Sequence, residues 1–128
     1  MRVMILGGDG YLGWSTAMYF SARGHEVAVV DNYLRRTLAR DTDMEILYST
    51  PNLHERVKVW KSQTDKDMSV YIGDLCDFAF ASKIFEEYQP DVIVHYAEQP
   101  SAPYSMLSSE AARLTLHNNL GVTLNVVL

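Results

Sequence analysis

Residues 2–13 read RVMILGGDGYLG, and this stretch decides the fold. Its largely apolar start is typical of a strand buried on both faces of a parallel sheet. Gly7, Gly10 and Gly13 follow at regular spacing, and the next residues have helical periodicity. In this context the first glycine permits a tight turn, the second lets backbone approach a pyrophosphate, and the third lets the helix pack closely on the strand. The stretch predicts a dinucleotide-binding loop, and the alternative is a glycine turn without a ligand.

Strand-like and helix-like stretches alternate along the rest of the chain. Apolar runs predict further strands at residues 26–30, 69–73 and 91–96, and helical spacing predicts helices at 11–24, 78–89 and from Ser108 onward. This alternation predicts an α/β fold with a doubly wound parallel sheet, the Rossmann fold, and strand order 3-2-1-4.

The segment between the second and third strands, residues 32–68, is longer than a simple crossover needs. Two stretches in it, at 35–49 and 54–63, have helical patterns. The segment has two interpretations. It is either a surface excursion or a functional element that covers the ligand or contacts another subunit.

Composition excludes several classes of function. The 128 residues suit one domain, and a formal net charge of -5 argues against a nucleic-acid-binding surface. Neither a membrane span nor a signal peptide is expected, and the histidines lack metal-ligand spacing, so no metal site is predicted. A single cysteine, Cys76, fits a reducing, cytoplasmic setting and is interpreted as a small core residue. Because the final NNLGVTLNVVL lacks helix-stop signals, we expect residues 1–128 to be the N-terminal part of a longer protein.

Acidic residues follow two of the predicted strands. Asp31 ends the second strand, where a carboxylate accepts hydrogen bonds from an adenosine ribose and repels a 2′-phosphate, so NAD is predicted rather than NADP. Arg35 and Arg36 complicate this, since arginines near the ribose can hold a 2′-phosphate; they are otherwise a solvated helix start. Asp74 follows the third strand and is either an acceptor for the adenine amino group or a helix N-cap.

The glycine loop, Asp31-Asn32, Asp74-Leu75 and HYA at 95–97 together resemble the extended short-chain dehydrogenase/reductase family, the NAD-dependent epimerases and dehydratases of nucleotide sugars. The stretches VVDNYLRR, RVKVWKSQT, YIGDLCDF, EQPSAPYSM and HNNLGVTLNV are similar to one branch of it, which joins sulfite to the sugar of UDP-glucose. That resemblance implies oxidation at C4, loss of water across C5 and C6, addition of sulfite at C6, reduction at C4, and a homodimer. The alternatives are a UDP-sugar 4-epimerase or 4,6-dehydratase, and a non-catalytic dinucleotide-binding module.

The resemblance also assigns roles residue by residue. It implies Tyr11 and Leu12 on the diphosphate; Asp31, Asn32, Arg35 and Arg36 around the adenosine ribose; Asp74 and Leu75 on the adenine; Ala97 and Glu98 beside the nicotinamide ribose; and Asn118, with less support for its neighbour Asn119, on the cofactor side of the last helix.

The stretch AEQPSAPYS, residues 97–105, follows the fourth predicted strand, where doubly wound sheets bind ligands. Gln99 and Ser101 are therefore expected near the substrate, and the alternative is an ordinary solvated loop. Pro100 stands where the family usually has an arginine, and proline offers no N–H donor. The family's catalytic Tyr-x-x-x-Lys does not occur in this sequence, so no catalytic residue is assigned and residues 1–128 alone are predicted to be inactive.

Overall fold

A computed structural model describes residues 1–44 and 48–128. Its sheet has four parallel strands in the order β3-β2-β1-β4, which confirms the predicted strand order. The strands are β1 (Arg2–Leu6), β2 (Glu26–Asp31), β3 (Met68–Ile72) and β4 (Val92–His95). β1 has the predicted boundaries, and the other three strands differ from the prediction by one residue at five of their six ends.

Six helices connect or follow the strands in the described part of the chain. They are α1 (Tyr11–Ala22), α2 (Leu34–Asp41), α3 (Leu53–Thr64), α4 (Phe78–Tyr88), α5 (Ala102–Ser105) and α6 (Ser109–Val127). The predicted helices α1, α3, α4 and α6 are confirmed. The sequence patterns do not predict the short helix α5, whose surroundings contain two prolines. It is compatible with them because Pro103 lies in its first turn, where no intrahelical N–H bond is lost.

The helix predicted over residues 35–49 is wrong at residues 42–44 and 48–49, which are not helical. Asp43 has a φ of 51°, in the left-handed region that ends helices, and the Thr42 hydroxyl donates to the carbonyl oxygen of Leu38 at 2.7 Å. Residues 45–47, which the same prediction included, lie outside the described residues.

The central strand β1 is covered on both faces, as its apolar sequence predicts. Met4 and Leu6 point to one side and pack in a core with residues of α4 and α6. Val3 and Ile5 point to the other side, where α1 and α3 contribute the packing. Burying side chains on both faces explains why β1 reads as a continuous apolar run rather than an alternating one.

The long segment after β2 is part of this core. Leu53 at the start of α3 is fully buried, and the indole N–H of Trp60 donates to the Ser21 hydroxyl of α1 at 2.8 Å. Neither interpretation of the segment from its sequence includes this role of α3, which completes one layer of the domain. Within the described ranges, no helix has the length and apolarity needed to cross a membrane.

Candidate dinucleotide-binding site

A cavity of about 390 Å³ lies at the carboxyl ends of the strands. Its walls come from the glycine loop after β1, the end of β2 with the start of α2, the loops after β3 and β4, and one side of α6. The loops after β1 and β4 are in close contact, since a Cβ on Gly7 would lie 2.6 Å from the carbonyl oxygen of Tyr96. The glycine loop and the AEQPSAPYS stretch therefore lie at the same end of the sheet, as predicted.

The three predicted glycines of the loop have different physical reasons to be glycine. Gly7 has a φ of 87°, which few other residues adopt, and a Cβ on Gly13 would lie 1.9 Å from the carbonyl oxygen of Gly7. A Cβ on Gly10 would contact only that same oxygen, at an ordinary 3.4 Å, among the described residues. The fold thus requires glycine at the first and third positions, whereas at Gly10 the space is open toward the cavity. This pattern fits a diphosphate held close to the backbone at Gly10.

The start of α1 is suited to a phosphate group. Its N-cap is Gly10, which has no side chain and therefore cannot accept hydrogen bonds from the first-turn N–H groups. Tyr11 and Leu12 are exposed and border the cavity. Unpaired N–H groups and the positive end of the helix dipole make such a terminus an anion site.

Asp31 lies at the end of β2 on the cavity wall, as expected. Its carboxylate accepts the backbone N–H of Asp9 at 2.9 Å and that of Tyr33 at 2.8 Å. Burial raises the pKa of Asp31, and these two hydrogen bonds oppose that rise. A carboxylate has about four lone-pair positions, so acceptor capacity remains for ribose hydroxyls. Asn32 also borders the cavity, and its side chain accepts the N–H of Leu34, which starts α2.

Asp9, which was not predicted from the sequence, connects several parts of the site. Its side chain is only 3% exposed, and it binds the guanidinium groups of both Arg36 and Arg56. Arg36 approaches with Nε at 2.7 Å from Oδ2 and Nη2 at 2.5 Å from Oδ1. We call Asp9, Arg36 and Arg56 the Asp9 cluster. The cluster joins the glycine loop to α2 and α3.

The two adjacent arginines therefore have different surroundings. Arg35 is exposed and borders the cavity, whereas Arg36, expected beside the ribose, is not among the cavity-lining residues in the described structure. The hydrogen bond with Asp9 is the main cause of the raised pKa of Arg36. Burial is the main influence on Arg56 and lowers its pKa, although attraction to Asp9 opposes it.

The loop after β3 brings Asp74 and Leu75 to the cavity. The Asp74 carboxylate accepts the N–H of Cys76 at 2.9 Å, and the N-cap of α4 is Asp77 instead. The N-cap alternative for Asp74 is therefore wrong. Cys76 packs at the edge of the core beside α6, and burial raises the pKa of its thiol, in agreement with a core role.

The loop after β4 is held by side-chain amides. Gln99 is 6% exposed, and its amide N–H groups donate to the Thr115 hydroxyl at 2.8 Å and the Ser101 carbonyl oxygen at 3.1 Å. Its Oε1 accepts the Ser101 N–H at 2.6 Å. The Asn119 side chain pairs with the backbone N–H and carbonyl of Gln99. Gln99 borders the cavity, but its amide is occupied by protein groups.

The remaining residues expected in this loop separate into two groups. Ala97, Glu98, Pro100 and Asn118 border the cavity. Ser101, expected near the substrate, is not among the cavity-lining residues of the described structure. Its hydroxyl caps α5 by accepting the N–H of Tyr104 at 3.2 Å.

His95, at the end of β4, also borders the cavity. Its Nδ1 accepts the N–H of Ala97 at 3.2 Å, so that nitrogen carries no proton, and Nε2 lies 3.2 Å from the Thr123 hydroxyl. Burial lowers the pKa of His95, which also favours the neutral ring. Among the residues that the structure describes, no group of three or more His, Cys, Asp or Glu side chains gathers as a metal site.

Comparison with known proteins agrees with this geometry. A sequence model described as the NAD dependent epimerase/dehydratase family matches residues 3–128. The chain belongs to this family. The family resemblance predicted from the glycine loop and the acidic residues is thereby confirmed.

Within this NAD dependent epimerase/dehydratase family, two curated relatives are UDP-sulfoquinovose synthases. The chloroplastic enzyme of Spinacia oleracea is 40% identical over 126 residues, which cover 98% of this chain and 26% of the relative. The enzyme of Sulfolobus acidocaldarius is 40% identical over 127 residues, which cover 99% of this chain and 32% of the relative. The chain thus spans about a quarter to a third of the length of these relatives.

Solved structures support the same fold. UDP-glucose 4-epimerase from Bifidobacterium longum, in complex with NAD+ and UDP, matches with a TM-score of 0.75 at 24% identity and covers 99% of this chain and 32% of that one. UDP-glucose 4-epimerase from Thermus thermophilus, in complex with NAD, matches with a TM-score of 0.70 at 28% identity. The match covers 98% of this chain and 32% of that one.

Proposed function

We propose that this chain binds NAD in the cavity at the carboxyl end of its sheet. The observation that carries the proposal is Gly10, where the fold leaves space for a side chain that the sequence does not supply. The diphosphate is expected at Gly10 and the first turn of α1, with Tyr11 and Leu12 beside it. Family membership and the NAD complex of the 28% identical Thermus thermophilus epimerase support this assignment.

The other cavity residues are proposed to hold the two ends of the cofactor. Asp31 and Asn32 accept from the adenosine ribose, Arg35 lies near it, and Asp74 and Leu75 contact the adenine. Ala97 and Glu98 lie beside the nicotinamide ribose, with Asn118 on the facing side of α6. All of these residues border one cavity, which supports a single elongated ligand.

The whole protein is proposed to be a UDP-sulfoquinovose synthase. It would convert UDP-glucose and sulfite to UDP-sulfoquinovose through a 4-keto sugar. Bound NAD supplies reversible hydride acceptance, and the residues described here position it. The support is 40% identity to two UDP-sulfoquinovose synthases across nearly all of this chain. A cytoplasmic homodimer is part of the same proposal.

The catalytic residues are proposed to lie outside residues 1–128. Oxidation at C4 needs a base within hydrogen-bond reach of the sugar hydroxyl. His95 borders the cavity and is chemically suited to act as a base, but both of its ring nitrogens already face protein partners. The Tyr-x-x-x-Lys pattern expected of the family is absent from this sequence.

A UDP-glucose 4-epimerase is the second candidate. Pro100 borders the cavity and cannot donate a hydrogen bond, whereas a sulfonated product calls for donors. The Haemophilus influenzae UDP-glucose 4-epimerase is 33% identical over 97 residues, which cover 76% of this chain.

The two candidates and the non-catalytic alternative are separated by one experiment. The full-length protein and residues 1–128 are each incubated with NAD, UDP-glucose and sulfite, and products are identified by mass spectrometry. We expect UDP-sulfoquinovose from the full-length protein alone. Formation of UDP-galactose only would favour the epimerase, and NAD binding without turnover would favour a non-catalytic module. Turnover by residues 1–128 would contradict the placement of the catalytic residues.

A further inference from the structure

Arg36 is almost fully committed to protein partners. Two of its N–H groups donate to Asp9, one to the carbonyl oxygen of Thr50 at 2.9 Å and one to that of Pro51 at 2.8 Å. A guanidinium has five N–H donors in a fixed fork, so little capacity remains for a ligand. In the described structure Arg36 is also not among the residues that border the cavity, whereas its neighbour Arg35 is.

Asp9 lies between this arginine and the proposed ribose site. Its backbone N–H donates to the Asp31 carboxylate at 2.9 Å, and its own carboxylate binds Arg36 and Arg56. Asp9 and Asp31 carry two negative charges, and the two arginines carry two positive charges. These four groups compensate one another, so the Asp9 cluster and Asp31 together offer no net positive charge to an additional phosphate, and Arg35 is a separate cation on this part of the cavity wall.

We infer that Asp9 determines the preference for NAD over NADP by holding Arg36 away from the adenosine 2′-position. This inference rests on the proposed binding of NAD. A 2′-phosphate carries about -1.5 to -2 charges and requires charged donors. In this site it meets the Asp31 carboxylate, while the adjacent Arg36 is held by Asp9. The selectivity of the site therefore has two components, repulsion by Asp31 and withdrawal of a donor by Asp9.

The inference differs from a purely structural role for the Asp9 cluster. If Asp9 only fixed the glycine loop to α2 and α3, its loss would weaken both cofactors by the same factor. If Asp9 also withholds Arg36, its loss weakens NAD but supplies NADP with a donor. The ratio of the two affinities separates these roles, whereas either affinity alone does not.

The test is the substitution Asp9→Asn in the full-length protein, with NAD and NADP affinities measured separately by calorimetry. Asparagine preserves the size of the side chain but removes the charge that holds Arg36. We expect the NADP-to-NAD affinity ratio to rise at least tenfold. Adding Arg36→Gln to Asp9→Asn should return the ratio to its original value. Asp67→Asn is the matched control, because it removes an exposed carboxylate next to Lys61 and should leave the ratio unchanged.

An unchanged ratio in a folded Asp9→Asn protein would overturn the inference and leave Asp9 a structural residue. Arg36→Gln alone provides a second measurement that does not depend on the stability of Asp9→Asn. It should change the ratio by less than twofold, since Arg36 is already withheld. A selective loss of NADP affinity in that variant would show that Arg36 reaches the 2′-phosphate despite Asp9. If the original protein binds neither cofactor, the proposed function fails first and the inference fails with it.

Discussion

The substitution Gly10→Ala separates the needs of the fold from those of the ligand. The added Cβ would meet one protein atom, the carbonyl oxygen of Gly7, at 3.4 Å among the described residues. Gly10 has φ −74° and ψ 166°, a conformation that alanine adopts without strain. We therefore expect a folded protein whose glycine loop keeps its backbone shape but carries a methyl group facing the cavity.

The magnitudes support a selective effect on binding. Alanine is a poorer N-cap than glycine by about 1 kcal/mol, and this is offset by a gain of about 0.4–1 kcal/mol from the less flexible unfolded chain. The net change in unfolding free energy should therefore be within about 1 kcal/mol. Forcing a methyl group into a close contact costs about 1–3 kcal/mol, which corresponds to a loss of roughly 5- to 150-fold in NAD affinity. Gly10→Val should exceed that loss.

The assay is calorimetric titration of NAD into the full-length variants, with a thermal melt of each. Gly13→Ala is the matched contrast, because its Cβ would lie 1.9 Å from the carbonyl oxygen of Gly7. It should cost about 3 kcal/mol or more of stability. Gly24→Ala controls for backbone strain, since Gly24 has φ 88° and no atom near its added Cβ. It should lower stability by about 1–2 kcal/mol and leave NAD affinity unchanged. An unaltered affinity in folded Gly10→Ala would refute the close approach of a diphosphate.

Two further predictions concern Asp31 and Gln99. Asp31→Asn should weaken NAD by roughly 10- to 150-fold, because a hydrogen bond to a charged acceptor contributes about 1.5–3 kcal/mol. Since burial raises the pKa of Asp31, NAD affinity of the unaltered protein should fall as the pH drops through a midpoint above the ordinary aspartate pKa. Asp31→Asn should lack this pH dependence. Tighter binding of NADP than of NAD by the unaltered protein would contradict the role of Asp31. Gln99→Ala should lower stability by about 1–3 kcal/mol in urea unfolding, because it leaves the Ser101 N–H without its acceptor and removes the donor to the Thr115 hydroxyl, which keeps only its bond to the Ala111 carbonyl oxygen. Unchanged stability combined with weaker UDP-glucose binding would instead indicate a direct substrate contact.

The sheet and the glycine loop were predictable because their signals are local. An apolar run buried on both faces, followed by regularly spaced glycines, specifies strand, turn and helix within residues 2–22. The carboxyl ends of parallel strands then meet at one edge, which places Asp31, Asp74 and Glu98 around one cavity. Each of these predictions depends on neighbours in sequence or on a topological rule, and none depends on side-chain detail.

The Asp9 cluster was not predictable in the same way. Asp9 binds Arg36 and Arg56, which are 27 and 47 positions away, and no local pattern links such residues. One signal was nevertheless present. Successive residues on a helix point about 100° apart, so the side chains of Arg35 and Arg36 leave α2 in different directions. Helical geometry therefore predicts that the two arginines have different surroundings, but it does not predict which arginine takes which role.

The core position of α3 was also missed, although its sequence carries the information. Leu53, Val57 and Trp60 follow one another at spacings of four and three, which places them on one face of a helix. That face packs in the core beside α1. The charged residues between them suggest a surface excursion only when composition is given more weight than periodicity.

The hydrogen bonds of the free chain divide the predicted site residues more sharply than the sequence does. A polar group that already has a buried partner must lose that partner before it binds a ligand, and the loss offsets most of the gain. Gln99 and Arg36 are in this position, since protein groups occupy their side chains. Asp31 differs because its carboxylate has more acceptor positions than the two N–H groups it receives. The neighbouring Asn118 and Asn119 follow the same division, because Asn119 holds the loop after β4 while Asn118 borders the cavity. The residues expected to act on the ligand are therefore those with spare capacity at the cavity wall, and those with none determine the shape of that wall.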